Sequence, residues 1–289
     1  MKDQPVRVAV IGGSGLYEMP ELENRREMDI TTPFGPPSDA LIVGEIAGVT
    51  TAFLPRHGRG HVHTPGEVPY RANIYALKML GVEHVIGVSA CGSLREDLAP
   101  GHIVIPDQLF DFTKNRVRSF FGDGLVAHVS VGEPFCRGTA HQLYRAVERA
   151  GGTVHRGGRF ITIEGPRFST QVESHVFRSW GMDIIGMTTS PEAFLAREAG
   201  LCYTVMAHIT DYDVWHESEE AVTVSMVIER LQANIEIARQ ALVELVPRLA
   251  TREKHCDCAD ALRNAIITAP DRIPEETRQR LQALLAPYL

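Results

Sequence analysis

Across its 289 residues the chain has no apolar run near the about 20 residues that a membrane-spanning helix needs. Met1-Lys2-Asp3-Gln4-Pro5 leads into a strand pattern, without the apolar core and cleavage site of a signal peptide, so the expected location is the cytoplasm. Cysteine is scarce. Cys91, Cys136, Cys202, Cys256 and Cys258 are too few for a disulfide scaffold. Cys256-Asp257-Cys258 lacks a second thiol pair nearby in sequence, so no zinc site is expected; His255 alone keeps a metal reading open. Positive charge is not in excess: Lys and Arg number 29 against 36 Asp and Glu, a net charge of −7. That argues against a nucleic-acid surface, and an anionic ligand would need a local basic pocket. Internal repeats and low-complexity tracts are absent as well.

Two nucleotide signatures are also missing. Gly12-Gly13-Ser14-Gly15 follows a strand pattern, but the dinucleotide fingerprint requires glycine where Glu18 stands. No G-x-x-x-x-G-K-[ST] phosphate loop occurs. What remains is a short glycine turn, which either holds a free anion with its N–H groups and Ser14 or simply joins a strand to a helix.

What is present reads as alternating strands and helices. Apolar, β-branched runs over Val6 to Ile11, Ala40 to Ile46, Val49 to Leu54, Val85 to Val88, Phe160 to Ile163, Asp183 to Met187 and Leu201 to Ile209 predict strands. Helical spacing predicts helices at Tyr70 to Leu80, around Leu143 to Ala150, at Val172, Val176 and Trp180, and from Ser190-Pro191-Glu192 to Gly200. A single long amphipathic helix is expected to carry Val224, Val227, Leu231, Ile235, Ala238, Leu242 and Leu245 on one face. The alternation gives an α/β fold with a central sheet. Residues 1–250 form the expected core, and 251–289 a helical extension with its C-x-C that docks on that core or on another subunit.

Chemistry-bearing residues collect at the strand ends. Arg56-His57-Gly58-Arg59-Gly60-His61 puts four basic side chains after one strand, and an arginine fork suits phosphate oxygens. Ser89-Ala90 and Thr188 add hydroxyls and N–H groups at two further ends, which together make the parts of a phosphate cradle. Phe168, Ser169 and Met187 offer a surface for a sugar or base, unless they merely pack in the core. Thr210-Asp211-Tyr212-Asp213 closes the last strand. Its aspartates either serve a turn or face a ligand. A protonated Asp donates to a purine N7 and an ionised one accepts from a 6-amino group, a combination that selects 6-amino over 6-oxo bases.

The chain resembles the trimeric purine nucleoside phosphorylase superfamily. The resemblance runs from about Val8 to Leu245 and rests on Gly12-Gly13-Ser14-Gly15-Leu16, Thr32-Pro33-Phe34-Gly35, Arg56-His57-Gly58-Arg59, Ala90-Cys91-Gly92-Ser93-Leu94, Thr162 through Ser169, Met187-Thr188-Thr189 and Thr210 through Asp213. It implies a single domain with a mixed, partly barrel-like sheet. It implies that Ser14, Arg56, His57, Ser89, Ala90 and Thr188 bind phosphate, with Ser at 14 and 89 where the family often carries Thr. Met187 lies against the ribose, and Phe168 and Ser169 beside the base. Asp211 is the acid at N7 and Asp213 reads the amino group, where relatives acting on 6-oxopurines carry Asn nearby. His128, lent by a neighbouring subunit, would line a 5′-substituent pocket with Val224 and Val227, which implies a homotrimer or a dimer of trimers. The implied activity is phosphorolysis of an adenosine analogue, foremost the 5′-methylthio one, with phosphate as co-substrate and no metal or organic cofactor. Adenosine itself, 5′-deoxy or 5′-halogenated analogues, and 6-oxopurine nucleosides are the other substrates open at this point. A nucleoside hydrolase and a non-enzymatic nucleoside binder are the competing functions. In some family members the two cysteines of the C-x-C pair as a disulfide, which leaves that pairing open for Cys256 and Cys258.

Overall fold

The computed structural model describes residues 5–216, 223–251 and 256–289, apart from a few side chains. In chain order the elements are β1 (Val8–Gly12), α1 (Ser14–Tyr17), β2 (Glu23–Met28), β3 (Leu41–Ile46), β4 (Val49–Pro55), α2 (Tyr70–Met79), β5 (His84–Ser93), β6 (Ile103–Ile105), β7 (Gln108–Phe112), α3 (Arg137–Arg149), β8 (Val154–Arg156), β9 (Arg159–Ile163), α4 (Gln171–Ser179), β10 (Ile184–Gly186), α5 (Thr189–Glu198), β11 (Cys202–Asp211), α6 (Val224–Ala233) and α7 (Ile235–Thr251). Two short helices close the chain, α8 (Glu275–Arg280) and α9 (Gln282–Leu285).

All these strands join one mixed sheet, and β5 is its branch point. One edge of β5 pairs along its length with β11. The opposite edge is shared. β1 runs parallel to it as far as Gly87, and β10 runs antiparallel to Gly92 and Ser93. Val88 through Cys91 lie between these two partners. Beyond β10 the sheet continues through β9 to β7, and beyond β11 through β6 to β8. The two arms meet where the β6–β7 link runs beside the β8–β9 link, with Asp107 and Gln108 N–H both donating to Gly158 O at 3.2 Å. The arms thus curl toward a barrel, while β2, β3 and β4 extend the sheet on the far side of β1.

The core strands are apolar because both faces are covered. Every residue of β1 and β11 is buried. β2 is the exception: Glu-Asn-Arg-Arg-Glu-Met is an exposed edge strand. It carries no apolar pattern, and charge on an edge discourages pairing with other chains. β6, β7 and β8 are likewise absent from the sequence reading; each has only three to five residues.

Two expectations about helices need correction. The predicted long amphipathic helix is two, α6 and α7, separated at Asn234. Helical bonds from Asn234 N–H to Arg230 O at 3.3 Å and from Ala238 N–H to Asn234 O at 3.1 Å still span the break, and Asn234 Nδ2 donates to Gly101 O at 3.3 Å. In α7 the apolar face is buried at Ala238, Leu242 and Leu245, whereas Val224 on α6 is 63% exposed. In α4 the buried residues are Ser174 and Phe177; Val172 and Trp180 lie on the outer face.

The segment after α7 packs onto the same core. Leu262, Ala265, Ile273, Leu281, Leu284 and Leu285 join the main apolar cluster with residues of β1, α2 and β11. An antiparallel bridge joins Ile266 to Ala127, and His128 N–H donates to Ala265 O at 2.8 Å.

Candidate active site

The branch in β5 collects the predicted residues. Where β1 ends, Gly12 O accepts from Arg56 N–H at 3.1 Å, so the residue after β4 is held at the mouth of the branch. Ser89 and Ala90 lie on β5 between its two edge partners. The register of β10, continued past Gly186, points Met187 and Thr188 back toward Ala90 and Ser89. On the other side β11 pairs with β5 until a register shift lets Asp211 face Gly92. Phosphate-type residues and the carboxyl pair therefore share one strand as their common support.

Arg56 is buried, and its fork closes on Glu192 rather than standing free for phosphate. Nε and Nη2 donate to the two Glu192 oxygens at 2.8 and 2.9 Å. Nη1 donates to Val88 O at 2.8 Å and Nη2 also to Ile11 O at 3.2 Å. Of the five guanidinium donors these contacts take four, which leaves one for an anion. Glu192 also accepts from Tyr203 OH at 2.6 Å. Glu192, in the predicted helix start Ser190-Pro191-Glu192, is thus the counter-ion of Arg56. Arg59, counted with the basic cluster, turns away to Glu27 and Asp39.

His57 is held through Nδ1, 2.8 Å from His63 O. A carbonyl only accepts, so Nδ1 carries the proton and Nε2 presents a lone pair. Burial, with the nearby Arg56 charge, pulls the His57 pKa down to about 4. A neutral ring in this tautomer accepts a hydrogen bond at Nε2 rather than donating one. Ser89 and Thr188 are buried. Thr188 precedes α5 without capping it through its side chain. The Ser14 side chain lies outside the described ones; its backbone opens α1.

Asp211 and Asp213 are each 7% exposed. Asp211 Oδ1 accepts from Asp213 N–H at 2.8 Å and Oδ2 from Thr210 Oγ1 at 2.7 Å. Burial raises the pKa of both carboxyls. The charge of Asp211 further raises Asp213, while for Asp211 burial does the raising. Ser169 and Ser174 sit close enough to hold Asp213 down somewhat. Yet Asp213 Oδ2, Ser169 Oγ and Ser174 Oγ are buried without a well-formed hydrogen bond. Three neighbouring polar atoms in that condition are costly unless a polar ligand completes them. Gly92 makes room for the pair: a Cβ there would stand 2.9 Å from Asp211 Oδ1 and 3.3 Å from Asp213 Cβ.

Met187 is half-buried beside Gly165, where a Cβ would come within 2.7 Å of its Sδ and where φ is +63°. Phe168 is 36% exposed at the end of the same loop. Arg116, which no sequence pattern marked, ties this loop down. It donates through Nε to Glu164 Oε1, through Nη2 to Glu164 O, and through Nη1 to Met187 O at 2.6 Å and Ser190 O at 2.8 Å.

The residues expected around a 5′ substituent lie on α6 and in a loop. Val224 is exposed and Val227 half-buried on α6, which Arg230 ties to the end of β11 through Thr210 O at 3.1 Å. The His128 side chain is exposed in a loop held by the C-terminal segment.

The cysteines depart most from the sequence reading. All five are free thiols, so Cys256 and Cys258 are not paired. The second thiol pair that the C-x-C lacks in sequence is supplied in space by Cys136 and Cys202. His255 lies outside the described residues.

Comparison with known proteins is consistent with this geometry. Residues 7–249 match the model of the phosphorylase superfamily. The chain is 52% identical to the S-methyl-5′-thioadenosine phosphorylase of Gloeobacter violaceus, over 98% of this chain and 96% of that one. It is also 52% identical to that of Geobacter sulfurreducens, over 98% and 99%. A methylthioadenosine phosphorylase from an antarctic soil metagenomic library superposes with a TM-score of 0.93 at 49% identity, covering 98% of this chain and 100% of that one. The Schistosoma mansoni methylthioadenosine phosphorylase, solved with adenine, gives 0.85 at 39% identity, covering 92% and 99%.

Proposed function

The chain belongs to the phosphorylase superfamily, and from that premise we propose that it catalyses reversible phosphorolysis of S-methyl-5′-thioadenosine to adenine and 5-methylthioribose 1-phosphate. It is a pentosyltransferase. The buried Asp211–Asp213 pair beside the unpartnered Ser169 and Ser174 hydroxyls carries the 6-aminopurine reading. Near-full-length identity to enzymes of that name supports the methylthio substrate.

Phosphate attacks the anomeric carbon as the bond to adenine lengthens, and positive charge grows on the sugar as in glycoside cleavage. Backbone N–H groups at Ser89 and Ala90, the hydroxyls of Ser14, Ser89 and Thr188, and the remaining Arg56 donor hold the anion. His57 Nε2 accepts the hydroxyl proton of monohydrogen phosphate, which turns an unprotonated oxygen toward the sugar. This is catalysis by orientation and fixed charge. Met187 and Phe168 flank ribose and base. Asp211, whose pKa burial raises, protonates N7 of the leaving adenine, and Asp213 accepts from the 6-amino group. The chemistry needs no metal or organic cofactor.

A homotrimer or dimer of trimers completes the site by bringing His128 of one subunit to Val224 and Val227 of the next. Val172, Trp180 and Phe110 are 72%, 48% and 41% exposed, and the last two rings pack at 5.9 Å. Such an apolar patch fits a subunit contact. Among the described residues no helix is long and apolar enough to cross a membrane, which accords with a cytoplasmic enzyme.

The deciding experiment measures adenine or hypoxanthine release from methylthioadenosine, adenosine and inosine with and without phosphate. Phosphate-dependent release, fastest from methylthioadenosine and slowest from inosine, is expected. Release without phosphate, or preference for inosine, would overturn the reading.

A further inference from the structure

The Sγ atoms of Cys136, Cys202, Cys256 and Cys258 all lie within 4.8 Å of one another. Cys202 Sγ and Cys256 Sγ stand 3.4 Å apart. A tetrahedral zinc with Zn–S bonds of about 2.3 Å would set its sulfurs about 3.8 Å apart. From this juxtaposition we propose that the four thiols form a structural tetrathiolate site for one zinc ion, which clamps the C-terminal segment to the core.

The ligand set is soft and complete. Four thiolates select zinc over hard cations, and a closed four-sulfur shell leaves no position for a substrate, so the site is structural. Binding converts four thiols to thiolates, releases four protons and leaves a complex of charge −2. The surroundings suit that charge. Thr139 Oγ1 donates to Cys136 Sγ at 3.4 Å. The Arg197 guanidinium lies against Cys258 and ion-pairs with Asp257 at 3.1 Å. Partners of this kind orient metal ligands and offset their charge.

The four ligands come from three places in the chain. Cys136 precedes α3, Cys202 opens β11, and Cys256 and Cys258 begin the C-terminal segment. That segment in turn holds the His128 loop through the bridge from Ile266 to Ala127 and the bond from His128 N–H to Ala265 O. Zinc thus anchors the base of an arm whose far end fixes a loop rather than taking part in phosphorolysis.

The test is elemental analysis of untagged full-length protein purified under reducing conditions and dialysed against a weak chelator. One zinc per chain is expected, released in step with mercurial titration of the thiols. Growth on cobalt should give the intense sulfur-to-cobalt charge-transfer and d–d bands of a tetrahedral tetrathiolate. This readout needs no variant, so poor folding of a mutant cannot obscure it. Cys136→Ser and Cys202→Ser should lose the metal and melt earlier, whereas Cys91→Ser should keep it. Substoichiometric metal would overturn the proposal, whether the four thiols titrate as free or the intact mass shows disulfides among them. Each outcome is independent of which nucleoside is cleaved.

Discussion

Gly92 is the position at which a single methyl group tests the carboxyl pair. In Gly92→Ala the new Cβ would lie 2.9 Å from Asp211 Oδ1, 3.0 Å from Ile185 Cγ2 and 3.3 Å from Asp213 Cβ. Ordinary contacts of this kind begin at 3.4 Å, so Asp211 or Ile185 must retreat by about half an ångström. Both are packed in the core of the site, so the overpacking should cost about 1–3 kcal/mol of stability. Misplacing a catalytic group by about 1 Å costs about 10²-fold in rate, so the smaller shift should lower kcat on the order of 10-fold to 100-fold. The phosphate side of β5 is not touched, so KM for phosphate should hold. The assay is steady-state phosphorolysis of methylthioadenosine with each substrate varied, alongside a melting curve. Gly132→Ala is the control, since no atom lies within 4 Å of its Cβ and its backbone is ordinary. If Gly92→Ala melts early yet keeps its kcat, Asp211 is not at the reacting atoms and the acid assignment fails. If neither changes, the packing argument fails as well.

Glu192→Gln should lower unfolding free energy by about 3–5 kcal/mol, because it leaves the buried Arg56 guanidinium without its charged partner; an unchanged urea midpoint would refute this. Asp213→Asn replaces an acceptor with an amide that also donates, and should raise the inosine-to-methylthioadenosine rate ratio by about 10-fold or more. An unaltered ratio would remove Asp213 from base selection. His208 is wholly buried, neither ring nitrogen has a partner, and burial pulls its pKa down to about 4. The unfolded imidazole, near 6.5, binds more protons, so this group's stabilisation is present above pH 6.5 and is lost as pH falls toward about 4. Full loss amounts to about 3 kcal/mol. His208→Leu should flatten the pH dependence of the denaturation midpoint in that window, and an unchanged slope would contradict the buried neutral state.

Most of the central sheet was legible in the sequence because its strands are short apolar runs ended by glycine, serine or charge. Strand ends were harder. β5 runs on through Ser89-Ala90-Cys91-Gly92-Ser93, small residues that resemble a loop but extend the strand to Ser93. β2 was invisible because an exposed edge strand needs no apolar alternation. The candidate site was legible where its residues are close in sequence, as with Asp211 and Asp213, which the structure holds together at the end of β11. It was not legible where partners are distant in sequence. Glu192 and Arg56 are 136 positions apart. Nothing local marks Arg116 as the knot under Met187. The C-x-C seemed incomplete because Cys136 and Cys202 arrive only when α3 and β11 pack. The break at Asn234 escaped the reading because apolar spacing runs through it unchanged.

The branched strand β5 also acts as a gauge of length. Ser89, on the proposed anion side, and Gly92, beneath the carboxyls, are three residues apart on one extended backbone. At about 3.3 Å per residue their backbones stand about 10 Å apart. No hinge lies between them, so this spacing is set when the sheet forms and not when substrate arrives. In the proposed reaction phosphate and nucleoside are therefore measured as well as recognised: together they must fill the span from Ser89 to the carboxyl pair. A base presented on a longer or shorter linkage would satisfy one end of the strand and miss the other.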